Sequence, residues 1–195
     1  MDSIDIDKVR SDTPGLANVI HFGSAGASLM PSCVVEAMVG HIQLEAAIGG
    51  YEAATEAGNE LDKIYSKVGK LLSCDPAEVA LTDNATTAWQ KAFYSINFSK
   101  GDVILTSQAE YSSNYISFLQ IAKNTGACVE VIPNDTHHQL DVDALRKILE
   151  AHRDREAGTI TGLIKLIAIS HVPTNSGLVQ PAAAVGALAE EFQVM

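Results

Sequence analysis

Three short segments carry the residues whose types and spacing could hold a ligand: Thr82-Asp83-Asn84-Ala85-Thr86-Thr87, Gln108-Ala109-Glu110-Tyr111-Ser112-Ser113-Asn114 and Ser170-His171-Val172-Pro173-Thr174-Asn175-Ser176-Gly177. At Asn84-Ala85-Thr86 a strand end passes into a helix. Unpaired N–H groups and the positive end of the helix dipole suit such a turn to a phosphate, although Asp83 or Asn84 also reads as an ordinary helix cap. Tyr111 directly follows the second strand end. Its ring can lie against a planar ligand, or it can pack under its own loop with the hydroxyl bonded locally. In the third segment Thr174 or Asn175 can donate to a phenolate-like oxygen, and Gly177 permits a tight turn; taken alone, this loop reads as a turn before Pro181.

Other chemistry-bearing residues read more simply. His171 continues an apolar run and is expected to be a satisfied core histidine. His137-His138 lies in a polar loop with no further ligand at a standard metal spacing. Glu45, Glu52, Glu56 and Glu60 read as solvated helix faces. Cys33, Cys74 and Cys128 are odd in number, far apart and without a Cys-x-x-Cys pair, so they predict no disulfide framework or zinc site and read as small buried apolar residues. No Gly-x-Gly-x-x-Gly, Gly-Lys-Ser/Thr or Gly-x-Ser-x-Gly motif occurs, which disfavours dinucleotides, nucleoside triphosphates and a serine nucleophile.

The three segments need elements to place them. From Pro31 to Ser73 the period is helical, clearest at Ala57, Leu61, Ile64, Val68 and Leu71, and Gly49-Gly50 divides the region into two helices. After Pro76 short apolar runs alternate with amphipathic stretches, the pattern of βα units. Predicted strands are Val79–Thr82, Val103–Thr106, Cys128–Ile132 and Leu163–His171, the last a nearly continuous apolar run expected at the centre of a sheet. Predicted helices follow from Ala85, from about Asn114 to a stop at Thr125-Gly126, from an Asp141 N-cap, and from Ala182 to Phe192 behind Pro181. A further strand is expected to begin near Gln193. The expected fold is therefore α/β, with helices packed on a mostly parallel sheet. In such sheets ligands sit outside the carboxyl ends of the strands, so the three segments are expected to converge on one pocket.

The chain has 195 residues, and 47% hydrophobic with 19% charged residues is the balance of a globular domain with a real core, not of a disordered chain. A net charge of −11 argues against general affinity for nucleic acid or anionic membrane. The first ten residues are acidic and lack a secretion signal, and no apolar run approaches the roughly 20 residues of a membrane span. A reducing cytoplasm is the expected compartment.

Together the three segments resemble, in order and spacing, the fold type I pyridoxal-phosphate enzymes of the class V aminotransferase and cysteine desulfurase group. His21-Phe22-Gly23-Ser24-Ala25-Gly26 with Met30-Pro31 is similar to that group's entry segment, and Gly49-Gly50-Tyr51-Glu52 to the stretch that follows. The resemblance implies a three-layer sandwich, with residues 1–30 as an entry segment and 31–195 as the N-terminal part of the large cofactor-binding domain. It implies that Ala85 and Thr86 hold the phosphate of pyridoxal 5'-phosphate and that Asn84 shapes the turn. Tyr111 stands where relatives often carry a stacking His, so stacking is retained while that histidine's acid–base role is not. The contact to the cofactor's phenolic oxygen falls to Thr174 by alignment, or to Asn175 one place later. Two further parts, an Asp for the pyridinium nitrogen and a Schiff-base Lys, are expected beyond Met195, which leaves no catalytic residue of the motif in this chain. The implied function is that of an N-terminal fragment, inactive alone, of an enzyme acting on an amino acid or amine and homodimeric at full length. The alternative is a non-catalytic α/β binding or regulatory protein that retains the phosphate cradle.

Overall fold

A computed structural model describes residues 4–24, 26–153, 162–174 and 176–195. The chain divides into two compact units, Met1–Leu81 and Thr82–Met195.

The first unit is helical. A short helix α1 (Ile6–Ser11), capped by Asp5, leads through a 3-10 turn to α2 (Ser32–Ile48) and α3 (Gly50–Leu72), which pack on each other. The joint is Gly49, as the sequence predicts. Its φ of 96° is a conformation that side chains strain to adopt, and a Cβ there would press on the Glu52 carboxylate at 2.7 Å. The α3 stripe is helical but only half covered: Ile64 and Val68 are partly buried, while Leu61 and Leu71 remain exposed. No residue of α2 is buried, so Val34, Val35, Met38, Val39 and Ile42 present an open apolar face. The α3 end is tight, since Gly69 lets the carbonyl of Cys74 approach to within 2.9 Å of where a Cβ would stand.

The second unit carries the sheet. Helix α4 (Ala85–Phe93) precedes β1 (Val103–Ser107), α5 (Ser112–Thr125), β2 (Cys128–Ile132), α6 (Val142–Arg153), β3 (Ile164–Ala168) and α7 (Ala182–Glu191). The strands are parallel in the order β2-β1-β3, with Val103 beside both Cys128 and Ile164. All five residues of β1 are buried because the sheet is covered on both faces. Val103 and Leu105 pack with Leu145 and Leu149 of α6 and Val185 and Leu188 of α7; Ile104 packs with Phe93 of α4 and Phe118 of α5. These three layers are the predicted architecture. Asp102 ties down the sheet's amino end: its carboxylate accepts from Ser99 N at 2.8 Å and Leu163 N at 3.2 Å, and its carbonyl from Cys128 N at 2.7 Å. The Asp141 cap on α6 and the left-handed Gly126 after α5 match the sequence reading.

Four expectations need correction. Val79–Thr82 forms no strand. None of its residues pairs with β1, β2 or β3, and Leu81 is exposed. The run from Leu163 to His171 is strand only over Ile164–Ala168, and β1 occupies the centre instead. His171 lies beyond the strand end and is exposed, not a core histidine. Cys33 and Cys128 are also exposed, since α2 is uncovered and β2 is the outer strand.

After α7 the chain turns through Gln193, at a φ of 55°, and the Met195 carbonyl accepts from Ile167 N at 2.9 Å. The backbone thus reaches the outer edge of β3 where a further strand is expected.

Arg146 of α6 and Glu191 of α7 form a two-pronged ion pair at 2.8 and 2.9 Å. The hydrogen bond from Arg146 holds the Glu191 carboxyl below its ordinary value, and Glu191 raises Arg146 in return. A depressed carboxyl contributes stability above its unfolded pKa and loses that contribution as pH falls through its folded pKa. Glu191→Gln should therefore lower the melting temperature slightly at neutral pH and not at all near pH ~2, below the carboxylate range. An equal deficit at both pH values would show that the pair's charge contributes nothing.

Candidate functional site

Helix α4 begins at the first of the three segments. Asn84 is its N-cap, with Oδ1 accepting from Thr87 N at 2.9 Å. Asp83 steadies the cap by accepting from Asn84 Nδ2 at 2.7 Å and Thr87 Oγ1 at 3.3 Å, and Thr82 Oγ1 donates to the Asn84 carbonyl at 2.9 Å. The first intrahelical bond runs from Ala88 N to the Asn84 carbonyl. The cap therefore uses the Thr87 N–H and leaves those of Ala85 and Thr86 without an intrahelical acceptor. The cap and two N–H groups without an intrahelical acceptor coexist at this turn.

The second segment places another helix start beside it. Thr86 Oγ1 lies 3.5 Å from Ser113 Oγ in the first turn of α5, whose N-cap is Tyr111. Two helices of 9 and 14 residues thus bring their positive ends side by side. Tyr111 is 48% exposed, which argues against a ring packed away under its own loop. Just inside, Glu110 is only 8% exposed, and its Oε1 accepts from Tyr111 N at 2.7 Å, Asn114 Nδ2 at 3.0 Å and Ser170 Oγ at 2.6 Å.

That last bond reaches the third segment. Beyond Ser170 the chain makes a turn in which Gly177, at φ 67°, donates its N–H to the Pro173 carbonyl at 2.9 Å. Gln180 N closes the loop on the His171 carbonyl at 2.8 Å, and the buried Gln180 Oε1 accepts from Leu140 N at 2.8 Å. Thr174 is exposed in this turn; Asn175 lies outside the described residues.

The three segments therefore meet at the carboxyl end of the sheet through two contacts, Thr86 to Ser113 and Glu110 to Ser170. No local pattern in the sequence assigns a role to Glu110, Ser113 or Ser170. Beneath them, at the end of β1, the hydroxyls of Thr106 and Ser107 are buried without a hydrogen-bond partner. Ser107 also lines a cleft of about 390 Å³ with Glu110, Ser112 and Tyr115. Open N–H groups, two helix amino ends and neutral hydroxyls form a donor set that suits a phosphate monoester. Among the described residues, no cluster of His, Cys, Asp or Glu could hold a metal ion, and no helix is long and apolar enough to cross a membrane.

Comparison with known proteins gives a consistent picture. A probable cysteine desulfurase of Synechocystis is 25% identical, over 94% of this chain and 44% of its own length. One of Xylella fastidiosa is 29% identical, over 92% of this chain and 43% of its own. The chain thus spans less than half the length of these curated relatives. Among solved structures, the cysteine desulfurase CsdA of Escherichia coli superposes with a TM-score of 0.80 at 22% identity, covering all of this chain and 48% of that one. A C-DES mutant with glycine covalently linked to its PLP cofactor gives 0.78 at 22% identity, over 93% of this chain and 46% of that one. At that identity the likeness establishes the fold. The model of the aminotransferase class-V family matches residues 20–195, nearly the whole sequence, and the chain belongs to that family.

Proposed function

We propose that this chain forms the N-terminal, cofactor-holding part of a pyridoxal-phosphate enzyme that acts on an amino acid or a related amine. The observation that carries the reading is the pairing of two helix amino ends, α4 and α5, beside a half-exposed aromatic ring. The N–H groups of Ala85 and Thr86 and the Thr86 hydroxyl bind the phosphate, with Asn84 holding the turn in shape. The Tyr111 ring offers a flat face to the pyridine. Thr174, or Asn175 beside it, donates to the phenolic oxygen. Once bound, the cofactor supplies an electron sink for a carbanion at the substrate α-carbon. This chain's residues bind and orient it, and the Lys and Asp that would complete the chemistry are not among them. The enzyme as a whole works as a homodimer in the cytoplasm, and this chain alone is inactive.

The relatives' names favour cysteine as the substrate. Tyr111 is the specific observation for a second reading, since it stands where relatives often carry a histidine, which favours a reaction other than desulfuration.

Trp89, the only tryptophan, lies in α4 behind the proposed cradle and reports on it. Titration with pyridoxal 5'-phosphate should quench its fluorescence saturably, with inorganic phosphate competing. A folded chain showing no saturable change with either ligand would sink the cradle assignment.

A further inference from the structure

We propose that Glu110 is a positioning residue that sets the Tyr111 ring against the turn carrying Thr174. The inference rests on the cofactor reading above for its functional part and on hydrogen bonding alone for its structural part. Glu110 lies three residues beyond the end of β1, and its Oε1 is the common acceptor for three donors from the start of α5 and the segment after β3. Two of these belong to the start of α5: the Tyr111 N–H, which fixes the backbone from which the ring projects, and the Asn114 amide, which fixes the first helical turn. The third is the hydroxyl of Ser170, two residues beyond β3 and four before Thr174.

One oxygen therefore holds both sides of the proposed ring site in register. All three named donors are neutral: a backbone N–H, a side-chain amide and a hydroxyl. A carboxylate suits this task because it accepts several bonds at once and donates none when ionised. Gln keeps an acceptor oxygen but adds an NH₂ group and loses the charge. Ala removes the junction.

The test uses the whole chain and the variants Glu110→Ala, Glu110→Gln and Ser170→Ala, read first by amide hydrogen exchange. Exchange in 171–174 and 176–180 should quicken about tenfold in both Ala variants, as expected for the loss of one charge-assisted bond. The Tyr111 amide should quicken only in Glu110→Ala, the β1 amides should keep their protection, and Glu110→Gln should fall between. In a second arm, pyridoxal 5'-phosphate should bind about tenfold more weakly to both Ala variants and recover in part with Gln. Inorganic phosphate, which needs only the α4 amino end, should bind all of them as it binds the parent chain. Unchanged exchange at 171–180 in both Ala variants would overturn the junction. Parallel losses of phosphate and pyridoxal phosphate binding, with no rescue by Gln, would reduce Glu110 to a general stability residue and overturn its positioning role. Failure of the parent chain to bind pyridoxal phosphate would overturn the cofactor reading instead, and the exchange pattern would still decide whether Glu110 couples the two loops.

Discussion

Replacing Phe118 by Ala lowers the stability of the sheet-bearing unit by about 3–5 kcal/mol. Phe118 is fully buried on α5 and touches three aromatic neighbours edge-on: Trp89 at 6.0 Å, Phe93 at 5.3 Å and Tyr115 at 6.1 Å between ring centroids. The same ring packs with Ile104 of β1, so it joins α4, α5 and the central strand. Truncation opens a cavity that three large, rotamer-limited rings cannot close, and edge-to-face pairs add about 0.5–1.5 kcal/mol each beyond area burial. A domain whose whole stability is about 5–15 kcal/mol loses about a fifth of it or more. Urea denaturation followed by Trp89 fluorescence measures the loss. A change under about 1 kcal/mol would mean that the cluster re-packs freely and does not hold α4 to α5.

Thr86→Asp separates binding from folding at the proposed cradle. A carboxylate in the first turn of α4 favours the helix by about 0.3–1 kcal/mol, so the melting temperature should hold or rise. The same charge stands where phosphate oxygens are proposed to bind. Two unit charges about 4 Å apart at an effective dielectric constant near 20 repel by about 4 kcal/mol, so affinity for inorganic phosphate and pyridoxal 5'-phosphate should fall roughly 100-fold or more. Stable protein with undiminished affinity for both would place the phosphate elsewhere.

Local chemistry made much of this fold legible. The run Val103–Thr106 reads as a buried strand, Gly49 as a joint, Asp141 as a cap and Gly126 as a stop, and each is found in that role because a few neighbouring residues decide it. Val79–Thr82 carries the same apolar signal as a true strand and forms none, because a strand also needs a partner edge, which no local pattern reveals. The central position assigned to Leu163–His171 belongs to β1 for the same reason: apolar content tells that a strand is covered, not which strands flank it.

At the site, Asn84 reads as either a cap or a shaper of an anion turn; it is the cap, and its one side-chain bond to the helix leaves two N–H groups open. The exposure of Tyr111 follows from its place at the α5 N-cap. Glu110 stayed without a role because its three donors lie one, four and sixty residues away, and only the folded sheet brings the last of them near.

Asp102 touches both neighbours of β1, reaching the start of β2 through Cys128 and the start of β3 through Leu163, 61 residues along the chain. Closing the longer of these loops adds little free energy, since each doubling of loop length costs only about 0.6 kcal/mol. Its effect falls on time. Parallel pairing between such distant segments must wait for chain search, and sheets of this kind form in roughly milliseconds to seconds, while helical hairpins close far sooner. The shorter β1–β2 loop is expected to close first and β3 to join last, bringing Ser170 and the Thr174 turn with it. On that order the crossover to β3 limits how fast the three segments come together, and the turn bearing Thr174 is expected to be the last part of the site to form.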